Sequence, residues 1–230
     1  MPGPPQLRVM CTLGLVGVLR DLLPRAEAEG FGTQFRFDPT ARLLAAIKDG
    51  ERADIAILTA EGIEELTAAD VLVRHARTDI ARSFVGVAVR AGAQRPDIST
   101  AEAFRATLLA APSIAYSRSG ASGIFFAGLI ERLGIAAEVN AKATIIPQGF
   151  TAELAARGEV TLAIQQVSEL MAVPGADIVG LLPEPLNTCA TFSAAPFAGA
   201  VQRAETFIAW LASTLTADVL RAGGLQPASD

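Results

Sequence analysis

The chain has 230 residues, 51% hydrophobic and 19% charged, which is enough apolar material for one large domain or two lobes with their own cores. Its formal net charge of -5 offers no basic surplus for phosphate backbones and so argues against nucleic-acid binding. Two distant cysteines and a single histidine argue against a metal centre, and the sequence predicts neither a metal nor a cofactor.

Strands and helices alternate in the first third of the chain. Apolar runs predict strands at residues 7–10, 33–37 and 55–58, and helical apolar spacing predicts helices at 16–28, 41–48 and 61–66. Either Asp38 or Thr40 is expected to cap the second helix. This order is typical of a mainly parallel sheet covered by helices.

The pattern continues after a polar, ambiguous stretch at residues 71–82. Further strands are predicted at residues 84–89, 113–116, 143–146, 162–165, 178–181 and 190–194. Further helices are predicted at residues 100–110, 151–157, 167–171, 203–213 and 217–222, with another helix after residue 123.

The loop at residues 117–123, Ser-Arg-Ser-Gly-Ala-Ser-Gly, lies between a predicted strand and a predicted helix. Small, hydroxyl-bearing and glycine residues present free backbone N–H groups at a helix start, where the helix dipole also favours negative charge. The loop therefore predicts an anion site. The alternative is that Ser122 only caps the helix and the glycines only turn the chain.

Other predicted strand–helix turns carry similar groups. Ligands of open parallel sheets bind at the carboxyl ends of the strands, beside the helix starts. Neutral donors that converge there suit a small oxyanion or a carboxylate better than a metal. The candidate ligand-binding residues of these turns are Thr12, Gly14, Thr40, Ser117, Ser119, Ser122, Gln148, Gln165 and Ser168.

The order of these turns resembles the molybdate-binding branch of the type II periplasmic binding proteins, and more closely its shorter substrate-binding-domain relatives. The resemblance spans about residues 7–225, with no single diagnostic motif. The segments that carry it are 53–58 (ADIAIL), 85–93 (VGVAVRAGA), 96–100 (PDIST), 113–116 (SIAY), 120–124 (GASGI), 131–135 (ERLGI) and 163–169 (AIQQVSE).

The resemblance implies an α/β fold of two lobes, each a mainly parallel sheet flanked by helices, with a ligand cleft between them. Lobe one would hold residues 1–82 and 195–230, and lobe two residues 83–194, with crossover strands near 82–87 and 189–195. Closure around the ligand would be a hinge motion.

Departures from that pattern favour an organic carboxylate over molybdate. Asp38 stands where small neutral residues are usual, and like charges about 4 Å apart cost roughly 4 kcal/mol at an effective dielectric of about 20. Either Asp38 points away as a helix cap, or the ligand is not a tetrahedral dianion. Arg118 in the loop and Arg82 at the expected first crossover carry guanidinium forks that suit a carboxylate; the alternative for each is a solvated surface arginine.

Two functions follow from these observations. The first is non-enzymatic binding of a small di- or tricarboxylate or a tetrahedral oxyanion. The second is isomerisation of an unsaturated carboxylate by proton transfer, because the resembled superfamily includes an aconitate isomerase; Asp38 is then the candidate base, as the acidic residue of the turns.

The first residues lack a basic region followed by a long apolar segment, so we expect a cytoplasmic protein, or a periplasmic one if a leader has been removed. An ABC transporter is expected as a partner only if the protein is exported. The sequence does not set the oligomeric state.

Overall fold

The computed structural model describes residues 6–200 and 202–228. The strands are β1 (Leu7–Thr12), β2 (Thr33–Asp38), β3 (Ile55–Thr59), β4 (Thr78–Arg90), β5 (Ile114–Ser117), β6 (Ala143–Ile146), β7 (Leu162–Gln166), β8 (Ala176–Leu181), β9 (Cys189–Pro196) and β10 (Gln226–Pro227). The helices are α1 (Val16–Ala28), α2 (Thr40–Lys48), α3 (Ala60–Ala68), α4 (Ala101–Ala110), α5 (Ala121–Arg132), α6 (Ala136–Asn140), α7 (Thr151–Ala156), α8 (Val167–Met171), α9 (Gln202–Thr214) and α10 (Ala217–Ala222). A short 3-10 turn, Leu13–Leu15, precedes α1.

The chain forms two compact units. The first consists of the described residues of Met1–Arg82 and Ala190–Asp230, and the second is Ser83–Cys189. Residues 190–194, which the sequence assigned to lobe two, lie in β9 and fall in the first unit, where residues 192–194 pair with β3. Residues 1–5, on which the expected absence of a leader partly rests, lie outside the described residues.

The first unit is built on a sheet in which β2, β1 and β3 are parallel and β9 is antiparallel to β3. Alternate side chains of β1 enter two different cores, since successive residues of a strand point to opposite faces. Val9 and Cys11 pack in a core with residues of α1 and α9, whereas Met10 packs in a core with residues of α2 and α3. Burial on both faces explains why β1 and β3 are nearly continuous apolar runs, whereas the partly buried β2 alternates apolar and polar residues.

The second unit has a mixed sheet. β5 pairs in parallel with β6 and β7, while β4 runs antiparallel to both β7 and β8. Phe104 and Phe126 fill the core on one face, and Leu170 packs with small alanines on the other. Because β5 and β7 are parallel neighbours, α5 and α8, which follow them directly, begin at the same edge of this sheet.

The predicted α/β fold is confirmed, with local differences. The ambiguous stretch before residue 83 ends in strand, because β4 already starts at Thr78. Helix α6 was not predicted, since its five alanine-rich residues are too few to show helical periodicity. Among the helices of the described residues, none has the length and apolarity needed to cross a membrane.

Candidate functional site

Two buried serines flank the loop between β5 and α5. Ser117 ends β5 at 2% exposure, and Ser122 lies in the first turn of α5 at 1% exposure. Neither hydroxyl has a hydrogen-bond partner among the described residues. The alternative that Ser122 caps the helix is wrong, because the N-cap residue is Gly120 and no side chain accepts a capping hydrogen bond there.

The backbone of this loop also leaves donors unused. Gly123 N and Ile124 N donate to Gly120 O, and Arg118 N donates to Ile146 O. Within the part of the chain that the structure describes, the N–H groups of residues 119–122 have no protein acceptor. Successive free N–H groups at the start of a helix are a typical anion-binding arrangement. We call residues 117–122 the serine loop.

The serine loop depends on a glycine at position 123. A Cβ there would lie 1.8 Å from the backbone oxygen of Ser117 and 2.4 Å from its Oγ. The first turn of α5 therefore folds directly against Ser117, and this close approach keeps the Ser117 hydroxyl beside the helix start.

Arg118 and Ser119 differ in what they can offer a ligand. Arg118 is exposed, and its guanidinium group makes no hydrogen bond or ion pair within the described residues. Ser119 instead donates its hydroxyl hydrogen to Pro147 O at 2.7 Å. The guanidinium group of Arg118 is therefore available to a ligand, whereas the hydroxyl of Ser119 holds the loop against the segment after β6.

Gln165 holds a turn in place. Its Oε1 accepts from Thr151 N at 2.8 Å and from Thr151 Oγ1 at 3.0 Å, and its Nε2 donates to Gly149 O at 3.0 Å. Both ends of this buried amide are therefore engaged. Gln148, in the same turn, is exposed and has no side-chain hydrogen bond within the described residues.

A second polar group lies at the end of β7. Ser168 Oγ is 3.3 Å from Ser83 Oγ, and the Gln166 amide nitrogen, oriented so that both amide ends are satisfied, donates to Ser83 Oγ at 3.0 Å. Ser168 was predicted as a ligand-binding residue, whereas Ser83 and Gln166 were not. Ser83 lies in the stretch before the predicted strand 84–89, where the sequence showed no clear pattern.

Glu169 is a buried acid that was not predicted as a site residue, and it directly follows the predicted site residue Ser168. Burial raises the pKa of its carboxyl group to about 8, an effect that the nearby Gln165 amide and Gln166 N–H oppose only in part. Its Oε2 has no partner among the described residues. The spacing from Gln166, the N-cap of α8, to Glu169 is that of a capping box and could have identified it.

In the first unit, the predicted hydroxyls bond to each other. Thr40 Oγ1 donates to Thr12 Oγ1 at 3.1 Å, and both residues are buried. Thr59, also buried, ends β3 and was missed because the predicted strand stopped one residue earlier. Gly14 is required where it stands, since a Cβ there would lie 2.3 Å from the ring of buried Phe192.

Asp38 is the last residue of β2, and its carboxylate faces arginines. It lies 3.1 Å from Arg36 Nη2 and 3.6 Å from Arg42 Nε. The expectation that Asp38 or Thr40 caps α2 is wrong, because Pro39 is the N-cap and no side chain accepts there. Asp38 is thus an ion-paired carboxylate.

Arg82 also lies in the first unit, where its Nε donates to Pro227 O at 2.9 Å. This bond joins β4 to β10, whose residues pair at the same place. Arg82 therefore has a structural role in fastening the end of the chain.

The unpartnered atoms concentrate in one place. Among the described residues, the buried side-chain polar atoms that lack a hydrogen-bond partner are Ser117 Oγ, Ser122 Oγ and Glu169 Oε2. All three belong to the second unit and follow the ends of β5 and β7. An unsatisfied buried polar group costs about 1–3 kcal/mol, so three at one edge of a sheet call for a functional explanation.

Known structures of the same fold include the periplasmic molybdate-binding protein of Azotobacter vinelandii, with a TM-score of 0.77 and 16% identity over 96% of this chain and 98% of that one. The periplasmic binding protein AfuA of Actinobacillus pleuropneumoniae, solved with fructose-6-phosphate bound, gives a TM-score of 0.71 and 13% identity over 97% of this chain and 85% of that one. The fold is therefore that of the type II periplasmic binding proteins.

Sequence comparison gives the family. Residues 7–226 match the bacterial extracellular solute-binding protein family. The aconitate isomerase of a Pseudomonas species is 34% identical to the chain, over 96% of this chain and 87% of that enzyme. The chain belongs to the bacterial extracellular solute-binding protein family.

Proposed function

We propose that this protein binds a small organic anion, a di- or tricarboxylate, through the serine loop. The observation that carries the proposal is the pair of buried hydroxyls of Ser117 and Ser122, neither of which has a partner within the described residues. A carboxylate would accept from these hydroxyls and from the free N–H groups of residues 119–122, and the dipole of the twelve-residue α5 would favour its charge.

Arg118 favours a carboxylate over a tetrahedral oxyanion such as molybdate. Its guanidinium group is exposed and unpaired within the described residues, and its planar fork matches the two oxygens of a carboxylate. A ligand with two or three carboxylates could engage the serine loop and Arg118 at once.

Isothermal titration calorimetry with trans-aconitate, cis-aconitate, citrate, molybdate and tungstate tests the proposal. We expect the tricarboxylates to bind more tightly than the two oxyanions. Absence of binding across the whole panel would contradict an anion-binding function. Tighter binding of molybdate than of any carboxylate would instead overturn the choice of ligand class.

Ser117→Ala gives a sharper test, because binding and stability should move in opposite directions. Loss of a hydroxyl that bonds a charged ligand weakens binding by about 10- to 100-fold, at about 1.5–3 kcal/mol for such a bond. The same change removes an unsatisfied buried hydroxyl, so the ligand-free protein should become more stable by about 1 kcal/mol in urea denaturation. Ser213→Ala, at an exposed serine of α9, is the control and should change neither quantity.

A second candidate function is isomerisation of an unsaturated tricarboxylate. It is favoured by the 34% identity to an aconitate isomerase over nearly the whole chain. Proton NMR of cis- and trans-aconitate during incubation with the protein measures interconversion directly. If the wild type interconverts them and Asp38→Asn retains full activity, Asp38 is not the base; if the wild type leaves both unchanged, the isomerase function is rejected.

A further inference from the structure

The proposed anion site leaves the buried carboxyl group of Glu169 unexplained. The parallel register of β5 and β7 pairs Ala115 with Ala163, and Ser117 and Gln165 each stand two residues further along their strands. Glu169 follows Gln165 by four residues, and the Gln165 amide is close enough to lower the pKa of the Glu169 carboxyl group. The Glu169 carboxyl group and the Ser117 hydroxyl therefore lie at the same edge of the second unit's sheet.

The two oxygens of this carboxyl group have different surroundings. Oε2 is buried and has no hydrogen-bond partner within the described residues, whereas Oε1 is not among the buried unpartnered atoms. When the acid is neutral, a proton on Oε2 has no acceptor within that part of the chain. Glu169 then presents a buried O–H group that still needs an acceptor.

The charged residues of the neighbouring elements do not account for the state of Glu169. Strand β7 carries no titratable residue. On α7, exposed Glu153 lies 4.0 Å from Arg157, and on β8, Asp177 lies 4.0 Å from Arg95. Burial, rather than any of these charges, raises the pKa of Glu169 to about 8, which keeps it mostly neutral at pH 7.

We propose that Glu169 acts as a neutral carboxylic acid that donates a hydrogen bond from Oε2 to an oxygen of the bound anion. This rests on the proposed function, since it requires an anion at the edge of the sheet where the serine loop lies. The ionised form offers no hydrogen and repels the ligand, so binding above pH 8 requires uptake of one proton. The dissociation constant should then rise by up to tenfold for each pH unit above 8.

Calorimetric titration between pH 6.5 and 9.5, with trans-aconitate and molybdate as probes, tests this coupling. For the wild type we expect a constant Kd up to about pH 8 and a rise above it. In buffers of different ionisation enthalpy at pH 9.5, binding should take up nearly one proton. Glu169→Gln keeps a donor in place of the O–H group, so its Kd should stay near the wild-type value at pH 7 and remain flat to pH 9.5.

Glu153→Gln, which alters an exposed glutamate of the same unit, is the matched control and should keep the wild-type profile. A flat wild-type profile, or the same rise in Glu169→Gln, would overturn the role of Glu169 while leaving anion binding intact. If Glu169→Gln does not fold, the pH dependence of Kd and the proton uptake of the wild type still test whether the ligand binds to a protonated group. Absence of binding by every probe at pH 7 would contradict the proposed function itself, before any pH dependence is measured.

Discussion

The two units carry similar residues at their strand ends but leave them in different states. In the first unit, Thr40 donates to Thr12, and Asp38 is flanked by two arginines. In the second unit, Ser117, Ser122 and Glu169 each keep a buried atom without a partner among the described residues. Since buried polar groups are normally paired, these three atoms are the reason that we propose the ligand site in the second unit.

The largest effect that would sharpen this contrast is the pH dependence of stability. Burial raises the pKa of Glu169 from 4.5 to about 8, so the folded protein holds a proton that the unfolded chain releases. This contribution is complete below pH 4.5 and is lost as the pH rises through 8, with an upper limit of about 5 kcal/mol at 1.36 kcal/mol per pKa unit. Urea denaturation of the wild type should therefore show a falling free energy of unfolding between pH 5 and 8.

Glu169→Gln should flatten that profile and be the more stable protein at pH 9. The conservative amide retains the size of the side chain, so the difference between the two profiles isolates the ionisation. If the free energy of unfolding changes equally with pH in wild type and variant, Glu169 is ionised at neutral pH. Glu169 would then not contribute to the difference between the two units.

The next largest effect concerns the backbone of the serine loop. In Gly123→Ala the new Cβ would meet the Ser117 carbonyl oxygen, a backbone atom that cannot move aside cheaply. We expect a loss of about 3 kcal/mol in unfolding free energy, at the upper end of overpacking effects. Ligand affinity measured by calorimetry should fall at least tenfold, since the loop must open to admit the methyl group.

Gly128→Ala, on the same helix, is the control for Gly123→Ala. Its Cβ would meet only the flexible end of Arg132, at 3.5 Å. Alanine favours a helix interior by up to about 1 kcal/mol over glycine, so this variant should be slightly stabilised and should bind normally. Equal losses of stability and affinity in both variants would show that α5 tolerates a methyl group at neither position. The close contact between residue 123 and Ser117 would then not explain the effect of Gly123→Ala.

The sequence predicted elements well where a pattern repeats and poorly where the structure depends on long-range contacts. Helix α8 and strand β6 have the predicted bounds, because apolar spacing and turn residues define them locally. The burial of Glu169 could not be predicted in the same way, since it results from packing of α8 against β7 and β8. The ion pairs of Asp38 were likewise missed, although Arg42 stands at the favourable i+4 position.

The candidate site shows the same limit. The ends of the predicted strands drew attention to Ser117 and Ser122, but residue type alone did not distinguish a hydroxyl without a partner from one that is already hydrogen-bonded. Gln165 and Ser119 have the same chemistry as ligand-binding groups, yet their hydrogens bond to Gly149 and Pro147. Whether a polar group is free depends on distant segments of the chain, which a local pattern does not contain.

The smallest effect concerns a hydroxyl of the first unit that is already bonded within the protein. Thr40 donates its hydrogen to Thr12. Thr40→Val should therefore lower stability by about 1 kcal/mol and change ligand affinity by about threefold or less. The variant preserves the shape of the side chain, so calorimetry and urea denaturation report on the hydroxyl group alone. A loss of affinity in Thr40→Val as large as in Ser117→Ala would mean that a hydroxyl bonded within the protein serves the ligand as well as an unpartnered one. The lack of an internal hydrogen bond would then not identify the residues that bind the ligand. The unpartnered atoms of the second unit would no longer favour it as the place where the ligand binds.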